Sequence, residues 1–268
     1  MGLLHRIRTL FSRPAPEVRI ATIINYCSND YRFLRACVQQ ASLFSSQVLV
    51  PFSDHFFDGL PENLALLKQS EQENPEARFL FFPFEAGQEA QYYVTFARWF
   101  ALQEVADEVD YVLFLDADEV VDGQAFLDWK RKFHISRYKA LKLANYYYFR
   151  EPHWQAEVWE DSPLLIRKEL LQRDWIQHFD DRQQPWNLAP EPKERMICGA
   201  DGKPMVHHYS WVRTREEMLR KVQSWGHNHE RNWVALVEQE FAGEFSGKDF
   251  VHGYTYQKVK PFINLASK

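Results

Sequence analysis

Three cysteines in 268 residues are few, and Cys27, Cys37 and Cys198 are widely spaced and odd in number. That argues against a disulfide framework and for a reducing compartment, so a cytoplasmic location is expected. No C-x-x-C pair occurs, which removes the usual spacing of a structural zinc site. No apolar run approaches the roughly 18 residues that a membrane span requires. Positive charge is not in excess either: 32 Lys and Arg face 37 Asp and Glu, a net charge of −5. A nucleic-acid partner is therefore not expected. Internal repeats and low-complexity tracts are also lacking.

What is present is the composition of a folded domain. The chain is 46% hydrophobic and 26% charged, too apolar for disorder. Its length suits one large α/β domain or two small ones. Aromatic residues make up 16%, including nine Trp and 21 Phe. They fit a packed core and sugar-stacking surfaces equally well.

Residues 1–17 form a basic leader. Leu3, Leu4, Ile7, Leu10 and Phe11 share one helical face, flanked by Arg6, Arg8 and Arg13. One reading is a peripheral contact of residues 1–13 with the inner face of an anionic membrane. The other is a frayed leader ended by Pro14 and Pro16.

From Val18 the pattern alternates. Strands are predicted over 18–26, 47–51, 78–84 and 111–115, with helices over about 30–44, 61–70 and 88–109 between them. A β-α-β-α-β-α-β order implies a parallel sheet with helices on both faces. Right-handed crossovers then gather the strand ends along one edge. Beyond residue 125 the pattern is less regular. Tyr138–Arg150 reads as one strand, 154–168 as an acidic turn and a short strand, and 175–195 as loop. Pro204–Val212 reads as a strand. Thr214 and Glu217 form a capping box at the start of a helical region that breaks near Gly226.

The densest signal is YVLFLDADEVVD at 111–122. Five apolar or aromatic residues read as a strand buried on both faces. The acidic cluster Asp116, Asp118, Glu119 follows where an open α/β sheet places its ligand. In extended backbone, positions 116 and 118 point the same way. Two close carboxylates repel unless a proton or cation lies between them. Hard oxygen donors suit Mg²⁺ or Mn²⁺, which often take only one or two protein carboxylates and complete their shell with substrate phosphates. The local chemistry reads as a metal–diphosphate site; a solvated acidic strand end is the plainer alternative.

Ala97-Arg98 followed by YVLFLDADEVVDG resembles the nucleotide-sugar half of family 2-like glycosyltransferases with the GT-A fold. IATIINYCSNDYRFL and VLVPFSDHFFDG match, in order, that family's first strand and loop and its acidic loop. The resemblance covers residues 18–125 well and 126–268 loosely. It implies a Rossmann-like, mostly parallel central sheet flanked by helices. A nucleotide-binding half (18–125) would be followed by a smaller mixed half (126–268) that binds acceptor. It also implies sugar transfer from a nucleoside-diphosphate donor, with UDP-sugars favoured, to a saccharide or lipid-linked acceptor.

By that resemblance Asp116 and Asp118 would hold the ion on the diphosphate. Asp54 would lie near the base or ribose, although Ser53-Asp54-His55 departs from the family's paired aspartates. Asp30 would line the nucleotide pocket, or cap a helix. Arg98 would approach the phosphates or donor sugar, or make a surface ion pair. HHYSWVR resembles the family's C-terminal segment, where a distal His completes the metal site. On a strand only one of His207 and His208 can turn that way, with His208 favoured. Arg213 and Lys221 would add positive charge to the leaving diphosphate, or lie on a solvated face.

An inverting reaction needs a carboxylate to take the acceptor proton. Glu160-Asp161 resembles the pair that supplies this base, and Asp180 and Asp181, beside His178, are rivals to Asp161. His227 and His229 do not share a helix face and read as surface. Two other functions stay open. A nucleotidyltransferase would be expected to carry a Gly-rich basic loop after the first strand, and NYCSNDYRFL has no glycine. A non-catalytic nucleotide- or carbohydrate-binding module could use the same scaffold.

Overall fold

The computed structural model describes residues 17–172, 182–224 and 231–265. Apart from Glu17, the leader lies outside the described residues, as do His178, Asp180, Asp181, His227 and His229.

The first half alternates as its pattern predicts: β1 (Ile20–Asn25), α1 (Tyr31–Ala41), β2 (Gln47–Phe52), α2 (Leu64–Glu73), β3 (Arg78–Phe81), α3 (Ala90–Leu102) and β4 (Tyr111–Asp116). β1 pairs in parallel with β2 on one side and β4 on the other, and β3 extends the sheet beyond β2. The β1–β4 register sets Asn25 beside Asp116 at the carboxyl ends. The apolar run of β4 is divided between two cores. Leu113 and Leu115 join Ile20 and Ile24 in one; Val112 and Phe114 join Ala21 and Ile23 in the other. All eight are fully buried, and each except the small Ala21 contributes about 1.5–3 kcal/mol relative to exposure. α1 buries Phe33, Leu34, Cys37, Val38 and Ala41, the stripe its spacing predicts. α3 sends Ala101 and Leu102 into the second core.

The second half differs from the expectation in an orderly way. Tyr138–Arg150 is two strands, β6 (Ala140–Leu143) and β7 (Asn145–Phe149), which belong to different sheets. β4 hands over to β5 (Glu119–Val121), and β8 (Glu151–Glu160) to β9 (Leu164–Arg167), with the same change of sheet. Among the described residues the larger sheet has seven strands in the order β10-β6-β9-β4-β1-β2-β3. β9 is antiparallel to its neighbours β4 and β6. The smaller, mixed sheet has the order β12-β8-β7-β11-β5. A helix, α5 (Gln183–Leu188), and β10 (Lys193–Ile197) occupy part of the stretch expected as loop. The fold is thus an α/β architecture with a mostly parallel, Rossmann-like sheet flanked by helices and a smaller mixed sheet made of β5 and four strands of the second half.

α4 (Gly123–Lys132) starts directly against the end of α1. A Cβ on Gly123 would lie 2.5 Å from the Gln40 carbonyl oxygen, so only glycine allows this approach. β11 (Val206–Trp211) leads into α6 (Arg215–Ser224), followed by α7 (Trp233–Phe241) and β12 (Tyr256–Lys258). The capping box forms reciprocally: the Glu217 amide donates to Thr214 Oγ1 and the Thr214 amide to Glu217 Oε2. No helix among the described residues is long and apolar enough to cross a membrane.

Candidate active site

The β4–β5 change of sheet makes the site. β4 ends at Asp116, and Ala117-Asp118 form a tight turn before Glu119 opens β5. Asp116 and Asp118 therefore reach one cleft through a turn, not through continuous extended backbone. The turn is fixed from both sheets: the Ala117 amide donates to the Asn25 carbonyl, and the Tyr209 amide to the Asp118 carbonyl. The cleft has a volume of about 350 Å³, and its lining includes Asn25, Asp30, Asp116, Asp118, His208 and Lys221.

The carboxylates are not equivalent. Asp116 accepts from Arg98 Nη2 on Oδ1 at 2.5 Å and from Arg182 Nη2 on Oδ2 at 3.1 Å. Glu119, wholly buried, accepts from Arg182 Nη1 and the Asp116 amide on Oε2 and from Ser162 Oγ on Oε1. Burial alone would push the Asp116 carboxyl up, but Arg182 and Arg98 outweigh it and hold it at about 2. Asp118 goes the other way. Burial, then the neighbouring Asp30 carboxylate, push it up to about 6 against the pull of His208, Lys221 and Arg213. Asp118 Oδ2 accepts from Arg213 Nη2 at 3.2 Å, while Oδ1 lies 3.7 Å from His208 Nε2.

Arg213 spans the two halves. It is buried, and it donates to the Ser210 and Asn29 carbonyls as well as to Asp30 and Asp118. Asp30 precedes α1 but makes no side-chain cap; its carboxylate belongs to Arg213. Arg98 is fully buried, so its pairing with Asp116 is not a surface ion pair. Lys221 on α6 lines the cleft and donates to Ser210 Oγ at 2.9 Å.

The remaining predicted residues divide. His208 turns to the cleft, and its neighbour His207 turns to the opposite face. There it bonds Tyr148 Oη through Nδ1 at 2.7 Å and stacks on Phe262 at 4.1 Å between centroids. Burial lowers the His207 imidazole to about 3, which keeps it neutral. The structure thus separates His207 from the acidic pair. Asp161 is held by both Nε and Nη2 of Arg195 at 2.8 Å and does not line the cleft. Asp54 is bonded to His55 Nδ1 and partly exposed; Phe56 and Phe57, just after it, line the cleft instead. Asn25 also belongs to the site: its Oδ1 is buried with no hydrogen-bond partner among the described residues.

The donor set can be tested against a divalent ion. Both oxygens of Asp116 and both of Glu119 already accept hydrogen bonds. The carboxylate oxygen and imidazole nitrogen left facing one another are Asp118 Oδ1 and His208 Nε2. One hard oxygen and one borderline nitrogen suit Mn²⁺ or Mg²⁺, with Mn²⁺ the better match to nitrogen. Among the described residues no group of three or more His, Cys, Asp or Glu is arranged to hold a metal. The residues therefore fit as a two-donor site that substrate oxygens would complete.

No family model matches this chain, and no curated protein matches it. Among solved structures it is similar to the mannosyltransferase PcManGT from Pyrobaculum calidifontis in complex with GDP-Man and Mn²⁺. The TM-score is 0.48 at 13% identity, over 79% of this chain and 64% of that one. It is also similar to glucosyl-3-phosphoglycerate synthase from Mycobacterium tuberculosis in complex with Mn²⁺, UDP and phosphoglyceric acid. There the TM-score is 0.45 at 12% identity, over 93% and 88% of the two chains. A third similar structure is 4-diphosphocytidyl-2C-methyl-D-erythritol synthase from Anaerococcus prevotii, with a TM-score of 0.46 at 10% identity over 75% and 94%. Likeness at this level assigns neither an activity nor a residue.

Proposed function

We propose that this chain is a metal-dependent glycosyltransferase. It would move a sugar from a nucleoside-diphosphate donor, with UDP-sugars favoured, to a hydroxyl of a saccharide or lipid-linked acceptor. The observation that carries this reading is the asymmetric acidic turn. Asp116 and Glu119 are neutralised by arginines, while Asp118 and His208 face each other in a cleft that also holds Lys221.

Asp118 and His208 would hold Mn²⁺ or Mg²⁺, which when bound supplies positive charge to the departing diphosphate. Lys221 reaches the same cleft from α6 and adds charge that does not depend on the ion. Arg98 and Arg182 keep Asp116 ionised and its carboxylate fixed. Arg213 fixes Asp118 and Asp30 to one another. Asn25 Oδ1, without a hydrogen-bond partner among the described residues and next to Asp116 in register, is suited to accept a donor hydrogen from the nucleotide. Phe56 and Phe57 offer the cleft aromatic surface. Asp161, tied to Arg195, is poorly placed as the general base. The loop after β1 supports diphosphate over triphosphate chemistry, since it brings Asp30 to the cleft and has no glycine.

Thermal unfolding with UDP, GDP, UDP-glucose, UDP-N-acetylglucosamine and GDP-mannose, each with and without Mn²⁺, tests the reading. A ligand that binds the native state raises the midpoint. A Mn²⁺-dependent rise with one nucleotide is expected. No rise with any of them, in folded protein, would overturn it.

A further inference from the structure

Residues 249–256 form a turn more firmly built than chain reversal requires. The buried Asp249 carboxylate collects five donors. Oδ1 takes the amides of Val251, His252 and Gly253 at 2.7, 2.6 and 3.1 Å. Oδ2 takes the Tyr254 amide at 3.0 Å and the Tyr256 hydroxyl at 2.9 Å. Gly253 supplies the left-handed backbone at φ +75° that the turn needs. Val251 and Tyr256 point into the core beneath. What the turn presents outward is His252, exposed, and Tyr254, half-buried.

Those two rings stack at 5.0 Å between centroids. Both meet Tyr147 edge-on, at 5.3 and 6.1 Å, and Tyr147 meets His208 edge-on at 5.3 Å. The Tyr254 hydroxyl lies near the Glu160 carboxylate, at the end of β8; burial, then that charge, push the phenol up. One ring, Tyr147, therefore separates the Asp118–His208 pair from a shelf made of two rings and a carboxylate. None of His252, Tyr254 and Glu160 lines the cleft that holds the acidic pair, so the shelf is a distinct surface.

We infer that His252, Tyr254 and Glu160 form the acceptor subsite, and that its ligand is a neutral sugar ring. This rests on the glycosyl-transfer reading, which requires the acceptor to approach beside the diphosphate. The outer ring faces suit the C–H face of a sugar, and the carboxylate accepts from its hydroxyls. The negative charges of Glu160 and Asp249 disfavour an anionic acceptor. Because the Asp249 bonds fix the rings in advance, little ordering cost falls on binding.

The test uses the full chain with Mn²⁺ and UDP. Binding of the methyl glycosides of glucose, galactose, mannose and N-acetylglucosamine is followed by saturation-transfer NMR, with galacturonate as the anionic control. At least one neutral glycoside should bind and galacturonate should not. His252→Ala, at an exposed position, and Glu160→Gln should each weaken that glycoside about tenfold. Tyr254→Phe, which keeps the ring and loses the hydroxyl near Glu160, should give a smaller loss. The nucleotide-induced rise in midpoint should persist in all three variants. A wild-type protein that responds to nucleotide but binds no glycoside, or variants that bind as wild type, would overturn the subsite alone. Loss of glycoside binding in the variants, with no nucleotide response in the wild type, would keep the subsite and remove the transferase reading.

Discussion

β4 and β11 bring the two halves of the chain to one site, and they carry polar groups in different ways. β4 is apolar from Tyr111 to Leu115, and its charge lies at and just past its last residue, Asp116. β11 alternates: His207 and Tyr209 go to the core, His208 and Ser210 toward the cleft. A strand buried on both faces can offer a ligand only its terminus. A strand with one face on a cleft can offer every second side chain. The site needs both: a fixed cluster of charge at the end of β4, and a nitrogen donor, His208, from the middle of β11.

Arg213, just beyond β11, joins these two sources, so removing it should have the largest effect. Arg213→Met keeps length and apolar bulk but takes from Asp30 its ion-pair partner and leaves Asp118 with only His208 and Lys221. Breaking such a buried pair costs about 3–5 kcal/mol, to be read from urea unfolding. A loss under about 1 kcal/mol, the level of a surface pair, would mean that the two strands do not depend on each other for their charge balance.

Asp118→Asn separates the two strands differently. It removes the carboxylate facing His208 while leaving the Arg98–Asp116–Arg182 group intact. Sugar transfer and the Mn²⁺-dependent response to nucleotide should fall at least about a hundredfold, beyond the usual cost of disturbing a metal's outer partners. Stability should hold or rise, because Asp118 is buried beside Asp30 and its charge is disfavoured there. An unchanged nucleotide response would remove Asp118 from the ion's donors.

These differences also explain what could be read from sequence. The run Tyr111–Leu115 and the α1 stripe were legible because burial on two faces, or on one, leaves a periodic trace in the residues themselves. The capping box at Thr214 was legible because it is local. Three features were not. The changes of sheet at Ala117-Asp118, Ala144 and Asp161–Pro163 leave no periodic trace, so Tyr138–Arg150 read as one strand. Glu119 stood visibly in the acidic cluster, but its role depends on Arg182 and Ser162, which are distant in sequence and near only through the fold. Asp161 had the right neighbour in Glu160, yet Arg195 lies against it and takes both its oxygens. Local signals named the chemistry of the turn, and long-range ion pairs decided which carboxylate was left for a ligand.

The smallest expected effect tests the other face of β11. Tyr148→Phe removes the hydroxyl that meets His207 Nδ1, while the stacking of Tyr148 on Tyr209 at 4.6 Å between centroids should survive. His207 is buried and uncharged, so the lost bond leaves one polar atom without its partner, at a cost of about 1–3 kcal/mol. Gln155, which donates to the same hydroxyl, loses an acceptor but is only part-buried and can turn to water. The loss in urea should therefore fall toward the lower end of that range. The Mn²⁺-dependent rise with nucleotide should not change, because His208 faces away from this bond. If Tyr148→Phe instead weakens the nucleotide response while stability barely moves, the two faces of β11 are coupled, and His207 acts on the site through its neighbour.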